Sequence, residues 1–170
     1  DSAFATAVDT QSSRTSISTA RIAASNQLSK DWQSVVTLGW QRDDSHFTES
    51  GAFGFSSHYV SGNQGLNWTN RYAVSDQWSV SAGVDLQRQT ISTDDGFGGV
   101  YAQSRTIDAF FAGLQGKAGD ASVQLNLRLD DIPGSGAQPT GYLGLGWQLA
   151  PKWKLIGSVS TAFNAPPLGY

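Results

Sequence analysis

Apolar and polar residues alternate along most of this chain, and a period of two is the mark of an extended strand with each face in a different medium. Between Ala121 and Asp130, Val123, Leu125, Leu127 and Leu129 fall on one face, and Ser122, Gln124, Asn126, Arg128 and Asp130 on the other. Leu143, Leu145, Trp147 and Leu149 repeat the pattern against Gly144, Gly146 and Gln148. Trp78, Val80, Ala82, Val84 and Leu86 oppose Ser79, Ser81, Gly83, Asp85 and Gln87. A further stripe runs from Trp153 through Leu155, Gly157, Val159 and Thr161 to Phe163. Leu66, Trp68, Tyr72 and Val74 share a face, as do Trp32, Val36, Leu38 and Trp40. Thr15 to Leu28 alternates weakly, and Ile107 to Ala118 is rich in Gly and Phe, so its faces are ambiguous.

These stripes make about eight strands of about ten residues or more, where strands of water-soluble folds usually run about 5–6 and a tilted bilayer-spanning strand needs about 9–11. Length therefore favours an all-β, antiparallel, up-and-down transmembrane barrel segment over a soluble sandwich. A repeated turn supports this. Leu28-Ser29-Lys30-Asp31-Trp32, Val74-Ser75-Asp76-Gln77-Trp78 and Leu149-Ala150-Pro151-Lys152-Trp153 each place a Trp just past a polar turn. An indole is apolar with one N–H that needs a polar partner, so Trp32, Trp78 and Trp153 read as a girdle at a membrane–water interface. Connections alternate in kind as well. Short turns stand at Ser29–Asp31, Ser75–Gln77, Lys117–Asp120 and Ala150–Lys152, and longer loops are predicted at Asp43–Val60, Thr93–Ser104 and Asp130–Thr140. Short periplasmic turns and long extracellular loops are the outer-membrane arrangement.

Composition agrees. The chain has 170 residues, a net charge of −3, 15% charged residues and no cysteine, which leaves no basic surface for nucleic acid and no disulfide or thiolate chemistry. No apolar run approaches the roughly 20 residues of a membrane helix. A mean hydropathy of −0.29 suits a barrel, because only alternate residues meet lipid.

Several runs carry a family resemblance. Val80 to Thr90, Phe111-Ala112-Gly113-Leu114-Gln115-Gly116, Arg128-Leu129-Asp130-Asp131, Gly144-Leu145-Gly146-Trp147 and the closing Ser160-Thr161-Ala162-Phe163-Asn164-Ala165-Pro166-Pro167-Leu168-Gly169-Tyr170 resemble, in order, the strands of TonB-dependent outer-membrane receptors, nearest to those that transport cobalamin. The resemblance covers most of Asp31 to Tyr170. It implies a larger barrel in the bacterial outer membrane, closed by further strands and filled by a plug. Energy coupling through TonB would pass by that plug. With short turns periplasmic, both chain ends fall on the extracellular side, and residues 1–170 are expected to be a central section of one barrel domain. The partners then expected are the bilayer, the remaining strands and plug, and cobalamin or a similar ligand.

Candidate sites follow. Asp43, Asp44 and Glu49, with Asp94-Asp95 and Asp130-Asp131 beyond them, offer the hard oxygen ligands that calcium takes, and the resemblance implies calcium-binding acidic loops. The plainer and favoured reading is a solvated polar loop. His46 and His58 share the same loop, and without Cys or carboxylates at ligand spacing they read as ordinary loop residues. Tyr142, Asp108, Arg128, Gln87 and Gln89 are predicted to point into the lumen near the loop side, where the resemblance implies ligand contact; the plainer and favoured reading is that they solvate a wide lumen. No G-x-S-x-G elbow or phosphate loop is present, and no enzyme is expected. Two other readings stand beside the receptor: a complete eight-stranded barrel, whose termini would lie beside the short turns, and a membrane lipid enzyme using a loop serine.

Overall fold

The computed structural model describes residues 10–51 and 54–168. Ala52, Phe53 and the last two residues of the closing motif, Gly169 and Tyr170, lie outside the described residues. Eight strands follow one another: β1 Thr10–Ser29, β2 Trp32–Ser50, β3 Phe55–Ala73, β4 Trp78–Asp94, β5 Val100–Ala118, β6 Ala121–Ile132, β7 Gly136–Ala150 and β8 Trp153–Ser160. Each pairs antiparallel with its sequence neighbour in a single sheet ordered β1 to β8. Among the described residues β1 and β8 do not pair, so the eight strands form an open wall rather than the closed eight-stranded barrel. Thr10 stands at the end remote from the short turns, opposite Ser50, whereas β8 is short and ends part-way up the wall, Ser160 opposite Tyr142.

The predicted loops are shorter than expected, because the strands continue through them. Arms of β2 and β3 stay paired up to Glu49 and Phe55, and β4 and β5 up to Asp94 and Val100. Above the membrane both faces of a hairpin meet water. Alternation then carries no signal, while the backbone N–H and C=O groups still gain from pairing. On the opposite side the turns fall where they were predicted. Gly119, at φ 58°, supplies the left-handed residue of the tight Gly119–Asp120 turn between β5 and β6.

Cross-strand partners share a face, so the register assigns every side chain. The outward stripe carries Leu38, Leu66, Leu86, Phe110, Leu129, Leu143 and Leu155, all exposed but the half-buried Leu66. Strands pack only on their sequence neighbours, so no second sheet covers this stripe among the described residues. An apolar face of this breadth with no protein over it is what hydrocarbon solvates.

The register fixes the relative stagger of the three Trp residues expected to form a girdle. From Trp32 the ladder runs through Tyr72, Val80, Leu114, Leu125 and Leu143 to Val159. Trp78 lies two residues below Val80 after two strand-to-strand steps, and Trp153 lies six below Val159 after six. One residue of stagger per strand, about 3.3 Å along for about 4.8 Å across, becomes level when strands tilt by about 35°, a tilt common in outer-membrane barrels. Trp40 stands eight residues above Trp32 on the same outward face. At that tilt the two indoles are separated by roughly 22 Å of height, close to the apolar band of such barrels.

β8 ends at Ser160, so Thr161 and Phe163 do not extend the outward stripe as the alternation suggested. Thr161 makes the last wall contacts, its N–H donating to Gly141 O and its Oγ1 accepting from Gly141 N, both at 2.9 Å. The chain then leaves the sheet and folds across the inner face.

Candidate functional site

The inner wall is polar at every height. At mid-height, Arg128 on β6 donates from Nη2 and Nε to Asp130 at 2.8–3.0 Å, and from Nη2 to Asp85 Oδ2 of β4 at 3.2 Å. Gln87 Nε2 also donates to Asp85 Oδ2, at 3.4 Å. Between the two aspartates on the same rung lies Ala109 of β5, fully buried beneath the guanidinium. Gln87, Arg128 and Asp130 then line, with Phe163 and Ala165 of the infolded segment, a cavity of ≈ 330 Å³.

Nearer the extracellular end, Gln89 Oε1 accepts from Arg105 Nε at 2.8 Å. Arg105 Nη1 donates to Pro166 O at 2.6 Å, and Tyr101 Oη to Leu168 O at 3.1 Å. These two bonds fasten the Ala165-Pro166-Pro167-Leu168 run to β5, three strands away from β8. The fastened segment closes one side of a groove of ≈ 590 Å³ lined by Tyr59, Asn63, Gln89, Thr93 and Tyr101. Planar aromatic rings and amides at a lumen mouth suit a large ligand with an extended flat surface and many polar edges.

Two of the five predicted lumen residues need correction. Asp108 pairs with Leu86 on one side and Asp131 on the other, so it lies on the outward face. Adjacent Phe110 and Phe111 had left the faces of this segment ambiguous; register with the clean stripes of β4 and β6 decides them. Tyr142 does face inward, but it lines a second cavity of ≈ 590 Å³ on the turn side, with Arg71, Lys117 and Lys154. Gln87, Gln89 and Arg128 stand inside, in the upper half. Tyr101, Arg105 and Asp85 are inner-wall residues that sequence reasoning missed; Asp85 was legible as a charge opposite an apolar stripe.

The proposed calcium trio does not converge. Asp44 pairs with Val60 on the outward face, while Asp43 and Glu49 point inward, six residues apart on β2 and so roughly 20 Å from one another. Asp43 accepts from Gln41 Nε2 at 3.2 Å. Asp95 is engaged locally: its Oδ1 accepts from the backbone of Phe97 at 2.8 Å and Gly99 at 2.9 Å, which hold its carboxyl below the ordinary range.

Asp44 gathers different company. Period two puts it beside His46 on β2, and register puts His58 of β3 opposite His46. His58 Nε2 lies 2.8 Å and His46 Nε2 3.3 Å from Asp44 Oδ1, while Arg42 Nη2 donates to Oδ2 at 3.0 Å. His58 and Arg42 hold the Asp44 carboxyl below its usual value. The imidazoles stack at 3.8 Å and 12°. Among the described residues neither His is hydrogen-bonded to a serine, so the lipid-enzyme arrangement is not formed by them.

Comparison with known proteins places this wall. The model of the TonB dependent receptor-like β-barrel matches residues 2–170. The vitamin B12 transporter BtuB of Vibrio cholerae serotype O1 is 30% identical over 145 residues, covering 82% of this chain and 23% of that protein. The chain thus spans about a quarter of the length of the curated relatives it matches. Among solved structures, the RagAB peptide importer in its open-open state superposes with a TM-score of 0.70 at 10% identity, over 89% of this chain and 22% of that one. The ferric enterobactin receptor PfeA in complex with BCV-L6 gives 0.55 at 11% identity, over 90% and 34%. Likeness at that identity speaks for the fold alone, and it is the same fold. With lipid-facing stripe, polar lumen wall and matched family model in agreement, the chain belongs to the TonB-dependent receptor β-barrel family of the bacterial outer membrane.

Proposed function

We propose that this chain is a section of the barrel wall of an energy-coupled transporter for a large cofactor-like ligand of the cobalamin class, and that its inner mouth takes part in capture. The observation that carries the reading is the groove of ≈ 590 Å³ beside the infolded Pro166–Leu168 segment, where Tyr59, Tyr101 and Gln89 converge. The similarity to the vitamin B12 transporter supports cobalamin as the ligand. In the intact receptor, further strands complete the wall, a plug fills the lumen, and TonB acts on the plug. This chain's part is passive: to hold the ligand by aromatic and amide contacts until the plug moves.

The test is cyanocobalamin binding to the intact receptor in detergent. Binding that weakens on Tyr101→Ala and Gln89→Ala supports the proposal. An intact receptor that ignores cobalamin but retains an iron chelate or a peptide overturns the ligand and leaves the transporter class standing.

A further inference from the structure

We propose that Asp44, His46 and His58 form a site for a divalent transition metal of the zinc type, on the outward face of the β2–β3 arm above the membrane. Three features point there. The ligand atoms come from two strands, lie within 4.8 Å of one another, and meet at one carboxylate oxygen. Both imidazoles present Nε2, rather than a ring edge, to that oxygen. Asp44 Oδ2 is already engaged by Arg42, which orients the carboxylate and leaves Oδ1 for the metal, as outer partners do in metal sites.

Ligand spacing suits zinc. Zinc–nitrogen and zinc–oxygen bonds of about 2.0–2.2 Å set tetrahedral ligands about 3.3–3.5 Å apart. The observed 2.8 and 3.3 Å separations to Oδ1 reach that range by small rotations of the half-buried His58 and exposed His46 rings. The metal replaces the proton that now lies between His58 and Asp44, and a water takes the open position. Two imidazoles and one carboxylate select zinc, copper or nickel over calcium and magnesium, which require oxygen. Height keeps the site wet: Asp44 and His46 stand four and six residues above Trp40 on the same face, roughly 11–16 Å beyond the apolar band. Around the site, register sets Arg14 of β1 opposite His46 and Asp94 of β4 opposite His58, so one added charge of each sign flanks it. Bound metal would tie β2 to β3 beyond the reach of the lipid.

The experiment is calorimetric titration of zinc chloride into the intact, untagged, chelator-treated receptor in detergent, beside His58→Ala and His46→Asn. Loss of an outer partner alone typically costs about 10–100-fold in metal affinity, so loss of a ligand should weaken this site by about tenfold or more. Cobalt(II) provides a second readout: visible absorption bands of tetrahedral intensity in wild type, lost in both variants. Heat-modifiable gel mobility checks that each variant keeps its barrel. Wild type and folded variants binding zinc alike would overturn the proposal, as would a wild type that binds calcium here and no zinc.

Discussion

Arg128 and Asp85 belong to strands that are not neighbours, yet Arg128 Nη2 lies 3.2 Å from Asp85 Oδ2 across the intervening β5. The bridge is possible because the residue beneath it, Ala109, is small and fully buried. Asp130 on the same rung completes a three-charge belt on the lumen wall.

Removing the cation should therefore cost more than removing one anion. Arg128→Met leaves Asp85 and Asp130 facing each other over Ala109, and is expected to destabilise the barrel by about 1–2 kcal/mol, between the values for exposed and buried ion pairs. Combining it with Asp85→Asn should recover part of the loss. Urea unfolding of the intact receptor in detergent measures both, and strictly additive costs would show that the bridge does not couple the strands.

Equal depth is expected for Trp32, Trp78 and Trp153. Single-Trp versions of the receptor in brominated-lipid vesicles should show matching quenching profiles, centred at the interface. Profiles displaced by several ångströms would reject the slope of one residue per strand.

The Asp95 loop should loosen in acid. Backbone donors lower the folded carboxyl below its unfolded value, so the stabilisation is present above that unfolded value and is lost as pH falls through the folded one. Protection factors of the Phe97 and Gly99 amides should drop in step. Asp95→Asn keeps an acceptor oxygen and should remove the pH dependence; Asp95→Ala should abolish protection at every pH.

Gly83 is the tightest point of the inner wall. A Cβ there would collide with the Phe111 ring and the Trp68 carbonyl. Gly83→Val is expected to cost about 1–3 kcal/mol by overpacking, with partial relief from Phe111→Ala. A neutral Gly83→Val in a thermal melt would mean that the Phe111 ring is free to swing away.

What was legible in the sequence was whatever the bilayer enforces. Leu125, Leu127 and Leu129 alternate because hydrocarbon lies on one side and water on the other, and the turns before Trp32, Trp78 and Trp153 are short because their strands re-enter at once. Where both sides are wet, sequence and strand part company: the arms carrying Asp43, Asp44 and Glu49 read as loops, and an apparent acidic cluster is divided between two faces. Asp108 was misplaced because its own strand is ambiguous; only the neighbouring strands fix its face. The inward fold of Ala165–Leu168 was illegible because Tyr101 and Arg105, which hold it, are more than 60 positions away in the chain.

A wall that climbs by one rung at each seam is a staircase. Any ribbon that docks along the outer margin of β8 inherits the same offset, and must slide one position toward the cell interior before its own interfacial aromatic comes level. The pairing partner of each residue in such a newcomer is thereby set by geometry, before anything is known of its composition.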